Sequence, residues 1–291
     1  QMTINERGEH IPKKRVCHDL SNNRKQGLSI NQRVIEDRVP AVLFGYTLLR
    51  FLHMIHHLRY FHPNERILIN RVDIEKAYRR LHTSGKMTAK CIAMWFVQNH
   101  EANHIPDDDE IAVALGRLPF GSMPAPAEFS NCSDITFDLA NDLMNCDHWD
   151  PSEYPSPLKK EIPPPKRLAN NIKFGPAFKA DVQLPNDFKG GTDGYIDDGA
   201  TCVLDSAENQ NMVMRAEQCI TMALHLQFRP NAGQDEPIPR AEMASMRKLK
   251  AEAYLTEIMD LLGWEINTRA FTVSLPNDKH TAWRHQVEEM I

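Results

Sequence analysis

No stretch of the 291-residue chain approaches the roughly 18 uninterrupted apolar residues that a bilayer-crossing helix needs. The polar start Gln1-Met2-Thr3-Ile4-Asn5-Glu6 also lacks the apolar segment of a secretory signal. The expectation is a soluble, intracellular protein (cytoplasm or nucleus) with no membrane partner. Its six cysteines, Cys17, Cys91, Cys132, Cys146, Cys202 and Cys219, include no close pair, which suits free thiols in a reducing compartment better than a zinc knuckle or a disulfide framework. No internal repeat is present, so solenoids and propellers are excluded. An overall basic excess is missing too: the net charge is −5. Phosphate binders usually carry a basic footprint, but the distribution matters more than the sum. Residues 1–90 hold 17 Lys and Arg against 8 Asp and Glu, and the remainder holds 17 against 31. A basic front segment can still engage phosphates.

What is present is a globular composition, 42% hydrophobic and 25% charged, enough for one large or two intimate domains. The chain breaks off in the helical-looking Trp283 to Glu288, as a piece of something longer would. Along it, Val39 to about Phe61 reads as an apolar helix with Arg50 and Arg59 on its polar face. Ile67 to Asp73 is β-branched enough for a buried strand, which puts Asp73 at a strand's carboxyl end. Cys91 to Val97 and Ile111 to Leu118 are further strand candidates around the acidic loop Asp107-Asp108-Asp109-Glu110. After Pro124 a helix is expected whose Phe129, Cys132, Ile135, Leu139 and Leu143 face the core. Residues 151–185 carry eight prolines and no periodicity, and read as a surface insertion. Tyr195 to Leu204 reads as a β-hairpin with Asp197 and Asp198 at its tip, followed by a helix from Ala207 to Leu226 started by an Asp205/Glu208 capping box. A second helix is expected from about Ala241 to Leu261, then a hairpin over Gly263–Ile266 and Ala270–Leu275. The sum is a mixed α+β pattern. His53, His56, His57 and His62 share a helix face, but interleaved apolar residues favour partly buried histidines over a zinc site.

The acids carry the chemistry. Joining nucleotides requires in-line attack on a phosphate, and two divalent ions about 3.5–4 Å apart manage the charge. Hard ions such as Mg²⁺ take oxygen ligands and keep water and substrate phosphate in their other positions, so two or three aspartates suffice. Asp197 and Asp198 at a hairpin tip, with Asp73 on a neighbouring strand end, meet that need. A lone Tyr-x-Asp-Asp match is weak, so the argument rests on neighbouring motifs in the correct order.

Asp73-Ile74-Glu75-Lys76-Ala77-Tyr78 resembles the first metal-binding motif of reverse transcriptases, and Leu118-Pro119-Phe120-Gly121-Ser122 through Phe129 resembles the family's Leu-Pro-x-Gly motif. Tyr195-Ile196-Asp197-Asp198 stands third, and Leu262-Gly263-Trp264-Glu265-Ile266 with Phe271 to Pro276 and Lys279 is similar to the primer-grip hairpin and its sequel. Arg15-Val16-Cys17-His18-Asp19 resembles the fingers segment. The resemblance is to the retrotransposon branch. It implies a right-hand polymerase fragment: part of the fingers over 1–66, a palm over 67–276 with a fingers segment at about 80–120 and the insertion at about 147–190, and the start of a thumb over 277–291. It implies that Asp73, Ile74, Asp197 and Asp198 hold two Mg²⁺ or Mn²⁺ ions. It also implies that Arg15 grips the triphosphate and that Tyr78, Phe120, Gly121 and Tyr195 line the deoxynucleotide pocket, with Tyr78 excluding a 2′-hydroxyl. Gly263 and Trp264 then belong to the primer grip. Partners would be an RNA or DNA template-primer and deoxynucleoside triphosphates, within a retrotransposon polyprotein. Departures are Gly199 and Ala200, where the family has bulkier groups and the second hairpin strand is expected to pack more loosely, and the 66-residue step from Phe129 to Tyr195. No general acid is assigned, Lys248 and Lys250 being only nearby. The rival readings are a degenerate copy that binds nucleic acid without catalysis, and a metal-dependent nuclease or integrase.

Overall fold

The structure, a computed structural model, describes residues 2–4, 10–12, 20–21, 29–42, 44–96, 110–153, 184–228 and 254–290. In chain order its elements are β1 (Met2–Ile4), β2 (His10–Pro12), α1 (Thr47–Phe61), β3 (Arg66–Asp73), the four-residue α2 (Gly85–Thr88), β4 (Ile92–Phe96) and β5 (Glu110–Ala114). There follow α3 (Ala125–Asn145), β6 (Gly190–Tyr195), β7 (Asp198–Asp205), α4 (Gln210–Gln227), β8 (Ile258–Leu261), β9 (Trp264–Asn267), β10 (Thr272–Ser274) and α5 (Asn277–Met290). All the ladders between these strands are antiparallel, which makes the chain α+β. Arg15, Lys248, Lys250, Asp107 to Asp109 and most of the proline-rich stretch lie outside the described residues. Two compact units emerge: residues 1–41 with 76–129, and residues 42–75 with 130–291.

The second unit is built on the sheet β3-β7-β6. Strand β3 has five consecutive buried residues, Arg66 to Asn70, because both faces of the sheet are covered. Ile67 and Ile69, with Ala200, Cys202 and Leu204 of β7, pack against Phe51, Met54, Ile55 and Leu58 of α1 and Met259, Leu261 and Ile266 of the β8-β9 pair. Each fully buried Leu, Ile or Phe there contributes about 1.5–3 kcal/mol. Side chains alternate along a strand, so Leu68, Asn70 and Val72 share the opposite face with their cross-strand partners Val203, Thr201 and Gly199. That face receives α4. A different signal ends the sheet on each side. At β3, Ile69 exchanges two backbone hydrogen bonds with Thr256, joining the meander β8-β9-β10. At the open edge of β6, side chains occupy the ladder positions: the Asn141 amide donates to the Thr192 carbonyl and accepts from the Thr192 N–H, and Thr47 donates to the Gly194 carbonyl. An edge so occupied cannot recruit another strand.

Three expectations are corrected in this unit. The stretch Ile258–Leu261, expected to close a helix, is strand β8 with alternating burial, Met259 and Leu261 facing inward. A four-residue alternation is too short to outweigh the helix-favouring residues before it. The core face of α3 follows the expected apolar series only in part: Phe129 is buried, and Cys132, Leu139 and Leu143 are half-buried. Ile135 is 58% exposed, while Ser130, Ser133, Thr136, Phe137, Ala140 and Met144 are buried. Hydroxyls can face inward because Ser133 donates to the Ser130 carbonyl and Thr136 to the Cys132 carbonyl. Finally, Asp205 does not cap α4: it pairs with buried Arg66 and accepts from the Gln210 side chain, and a 3₁₀ turn over Ala207–Asn209 leads into the helix. Asn209 stands at the helix start and donates to the Leu204 carbonyl.

The first unit contains β1 paired with β2 and β4 paired with β5. The expected strand over Ile111 to Leu118 ends at Ala114 and resumes as a bridge between His82 and Arg117. Ser84 caps α2 by accepting from the Met87 N–H. No helix among the described residues is long and apolar enough to cross a membrane.

Candidate active site

The register of β3 on β7 decides the acidic end of the sheet. Asp73 stands directly opposite Asp198, and Tyr195 of β6 stands opposite Asp198 on its other side. The Ile74 N–H donates to the Asp197 carbonyl at 2.9 Å, extending the pairing one step past the strand end. Residues from segments more than 120 positions apart thus meet at one edge, where directly opposed residues have Cβ atoms about 4.5–5.5 Å apart. All three aspartates are half-buried, while the Ile74 side chain is buried, so Ile74 has only its carbonyl to offer an ion.

The turn joining β6 to β7 has two central residues, Ile196 and Asp197, and Ile196 lies at φ 59°. A positive φ at the first position alone is the pattern of a type II′ turn, where glycine is the usual occupant. A β-branched residue held there costs on the order of 1–2 kcal/mol. The neighbouring support is visible one step further in. Gly194 and Gly199 are opposed across the hairpin, and the Phe137 ring of α3 lies over the gap they leave. A Cβ built on Gly194 would fall inside that ring, and one on Gly199 would stand 2.6 Å from its edge. The looser packing expected at Gly199 and Ala200 is therefore corrected: both are buried, Phe137 filling the space beside Gly199 and Ala200, on the opposite face, belonging to the core cluster with Phe51, Met54 and Ile55. Glycines spaced evenly on either side of Tyr195–Asp198 were the available signal for this slot.

The donor set fits a hard divalent cation in kind: three carboxylates and one peptide carbonyl, at a strand end, partly reachable from solvent. The carboxylates are not gathered, however. Among the described residues no group of three or more His, Cys, Asp or Glu side chains stands close enough to hold a metal ion. Carboxylates repel one another at short range and converge around a cation, so the backbone register is the part of such a site that the fold itself can supply.

No family model, curated protein or solved structure matches the chain.

In the first unit, Tyr78 packs on Phe120 at 4.8 Å between ring centroids and edge-on to Phe129 at 5.6 Å. Phe120 remains 38% exposed. The segment Pro119–Ser122 is a turn closed by the Ser122 N–H on the Pro119 carbonyl, with Gly121 at φ 93°. That is the third position of a type II turn, which needs glycine. Asn31, which the sequence reading did not single out, holds this turn: its amide donates to the Gly121 carbonyl and accepts from the Met123 N–H. The Ser122 hydroxyl is buried without a partner among the described residues. Back in the second unit, Leu262 and Gly263 both have positive φ, the type I′ pattern, and join β8 to β9. Gly263 accepts a hydrogen bond from the Lys279 ammonium at 3.3 Å, and Trp264 is 39% exposed. Arg15 lies outside the described residues.

Proposed function

We propose that this chain is the catalytic portion of a reverse transcriptase, copying an RNA or DNA template into DNA as part of a longer retrotransposon polyprotein. The observation that carries the reading is the meeting of Asp73, Asp197 and Asp198 at one sheet end, set by the β3-β7 register and the Ile74 to Asp197 hydrogen bond. Bound there, two Mg²⁺ or Mn²⁺ ions supply the charge that in-line phosphoryl transfer requires. Asp73 and Asp198 hold the ions from adjacent strands, and Asp197 does so from the turn. The Ile74 carbonyl adds a neutral oxygen. The strained Ile196 turn and the Phe137 slot hold the backbone that carries these acids, so that the strand register is set before any ion binds.

The remaining roles come from the resemblance. Arg15 binds the triphosphate, its guanidinium fork matching phosphate oxygens. Tyr78 lies under the sugar and excludes a 2′-hydroxyl, and Phe120, Gly121 and Tyr195 are the other residues that the resemblance assigns to nucleotide binding. Gly263 and Trp264 steady the primer. The packing of Tyr78 on Phe120 and Phe129 and the Asn31-braced turn at Gly121 support a shaped surface there.

The test is extension of a template-primer by the full chain with Mg²⁺ and deoxynucleoside triphosphates. Asp197→Asn should abolish extension, by on the order of a thousandfold or more, with unchanged urea unfolding. Near-wild-type extension by that variant removes the metal role. A folded chain that binds template-primer but never extends it is the degenerate copy. Strand cleavage or joining without nucleotides identifies a nuclease or integrase.

A further inference from the structure

The edge of β6 has a second consequence, away from the carboxylates. Within the second unit, α1, α3 and the β9-β10 segment line a half-open cavity of about 1130 Å³, the scale of a drug-sized ligand site. Its walls are apolar: Leu49 and Leu52 of α1, Phe137 of α3, and Ile266, Phe271 and Val273 from the β9-β10 side. Its polar end is unbalanced, with half-buried Asp134 and Asp193 and exposed Asp138 at the rim facing one guanidinium, Arg50. Arg50 is committed to Asp193 through a two-bond fork, at 2.5 and 2.7 Å. Asp134 and Asp138 stand one helical turn apart, where like charges repel. Burial, with repulsion from Asp193 second, holds the Asp134 carboxyl above its usual range. Both ring nitrogens of His53, which also lines the cavity, are buried without a hydrogen-bond partner among the described residues.

We propose that this cavity binds a small organic cation: a protonated amine on an aromatic or aliphatic body. The ammonium sits between Asp134 and Asp138, the body lies against Leu52, Phe137 and Phe271, and His53 offers a ring nitrogen to a polar substituent. Each alternative leaves something unanswered. An anion meets the carboxylate surplus, a neutral apolar molecule leaves that surplus uncompensated, and a bare polyamine leaves the apolar walls wet. None of this depends on the polymerase reading.

The test is equilibrium binding to the full chain, by calorimetry, of three probes of one shape: 2-(1-naphthyl)ethylamine, neutral 1-ethylnaphthalene and 1-naphthylacetate. The amine should bind at least about tenfold more tightly than the acetate, a difference of about 1.4 kcal/mol. Asp134→Asn should cut amine affinity several-fold and leave ethylnaphthalene unchanged. Val273→Trp, on an exposed strand and outside the buried core, should plug the cavity and block both. Equal affinities for amine and acetate, an amine preference that survives Asp134→Asn, or no amine binding up to millimolar concentration would each overturn the proposal. Unaltered circular dichroism of Val273→Trp shows that a lost signal reports the plug.

Discussion

Replacing Gly194 by alanine drives a methyl group into the Phe137 ring. The ring has little room to yield: Phe137 is 3% exposed, and the Gly199 position confines its other edge. Accommodation requires an off-rotamer phenylalanine or a lift of α3 from the hairpin. Overpacking of this kind costs typically 1–3 kcal/mol, about 3 where overlap is complete as here. Alanine's smaller backbone entropy loss returns roughly 0.5–1 kcal/mol, so the net expectation is a loss of about 2 kcal/mol. Phe137→Ala alone should cost about 3–5 kcal/mol by emptying the slot. With both changes the collision is gone and the new methyl occupies part of the space. The double variant should therefore be less destabilised than the sum of the singles, by about 2 kcal/mol. Urea unfolding at constant slope measures all three. Additivity within about 0.5 kcal/mol would refute the slot as the reason for the two glycines. Gly199→Ala, whose Cβ meets only the ring edge at 2.6 Å and Ile220 at 3.1 Å, should show the same coupling at smaller amplitude, which keeps the test available if Gly194→Ala does not fold.

Three further outcomes are expected. Arg59 is fully buried and donates to the Pro63, Glu65 and Thr268 carbonyls at 3.1, 2.6 and 2.9 Å, so Arg59→Met should cost about 2–4 kcal/mol in urea unfolding; a loss below about 1 kcal/mol would contradict its bridging role. Desolvation first, and then His53, hold His56 below the ordinary histidine range; desolvation, with His53, His56 and His62 behind it, does the same for His57, against a hydrogen bond to the Pro185 backbone. The unfolded chain then binds more protons in the window below about 6.5. Stability contributed by these groups is intact above that window and falls as the pH drops through it, and His56→Gln with His57→Gln should flatten the decline; an equally steep decline in the double variant counts against the assignment. Tyr78→Ala should let ribonucleotides compete in extension, and unchanged sugar selectivity would remove Tyr78 from the nucleotide pocket.

Strand β3, the acidic hairpin and the start of α3 were legible because each has a dense local pattern. Ile67 to Asp73 is a run of strand formers, Tyr195 to Leu204 brackets a polar tip, and Pro124 opens a helix. Which face of α3 is buried was not legible. The apolar series was real, but the helix approaches a pair of glycines, and close approach selects Phe137, Ala140 and hydroxyls able to bond to their own helix over Ile135. Similarly, Asp205 has the right spacing for a cap and is instead drawn to Arg66, a partner 139 residues away.

The sequence by itself determined the identity and order of the acids, their position at strand ends and turn, and the composition that permits a packed α+β core. Those are properties of residue type and local period. Tertiary structure alone decided that Asp73 lies opposite Asp198, that Gly194 and Gly199 share one aromatic ring, and that α1 and α3 leave a negatively charged apolar cavity along β6. Register and cavity shape depend on contacts between segments far apart in the chain, and a one-residue slip of β7 against β3 would keep every motif while turning the acids to opposite faces.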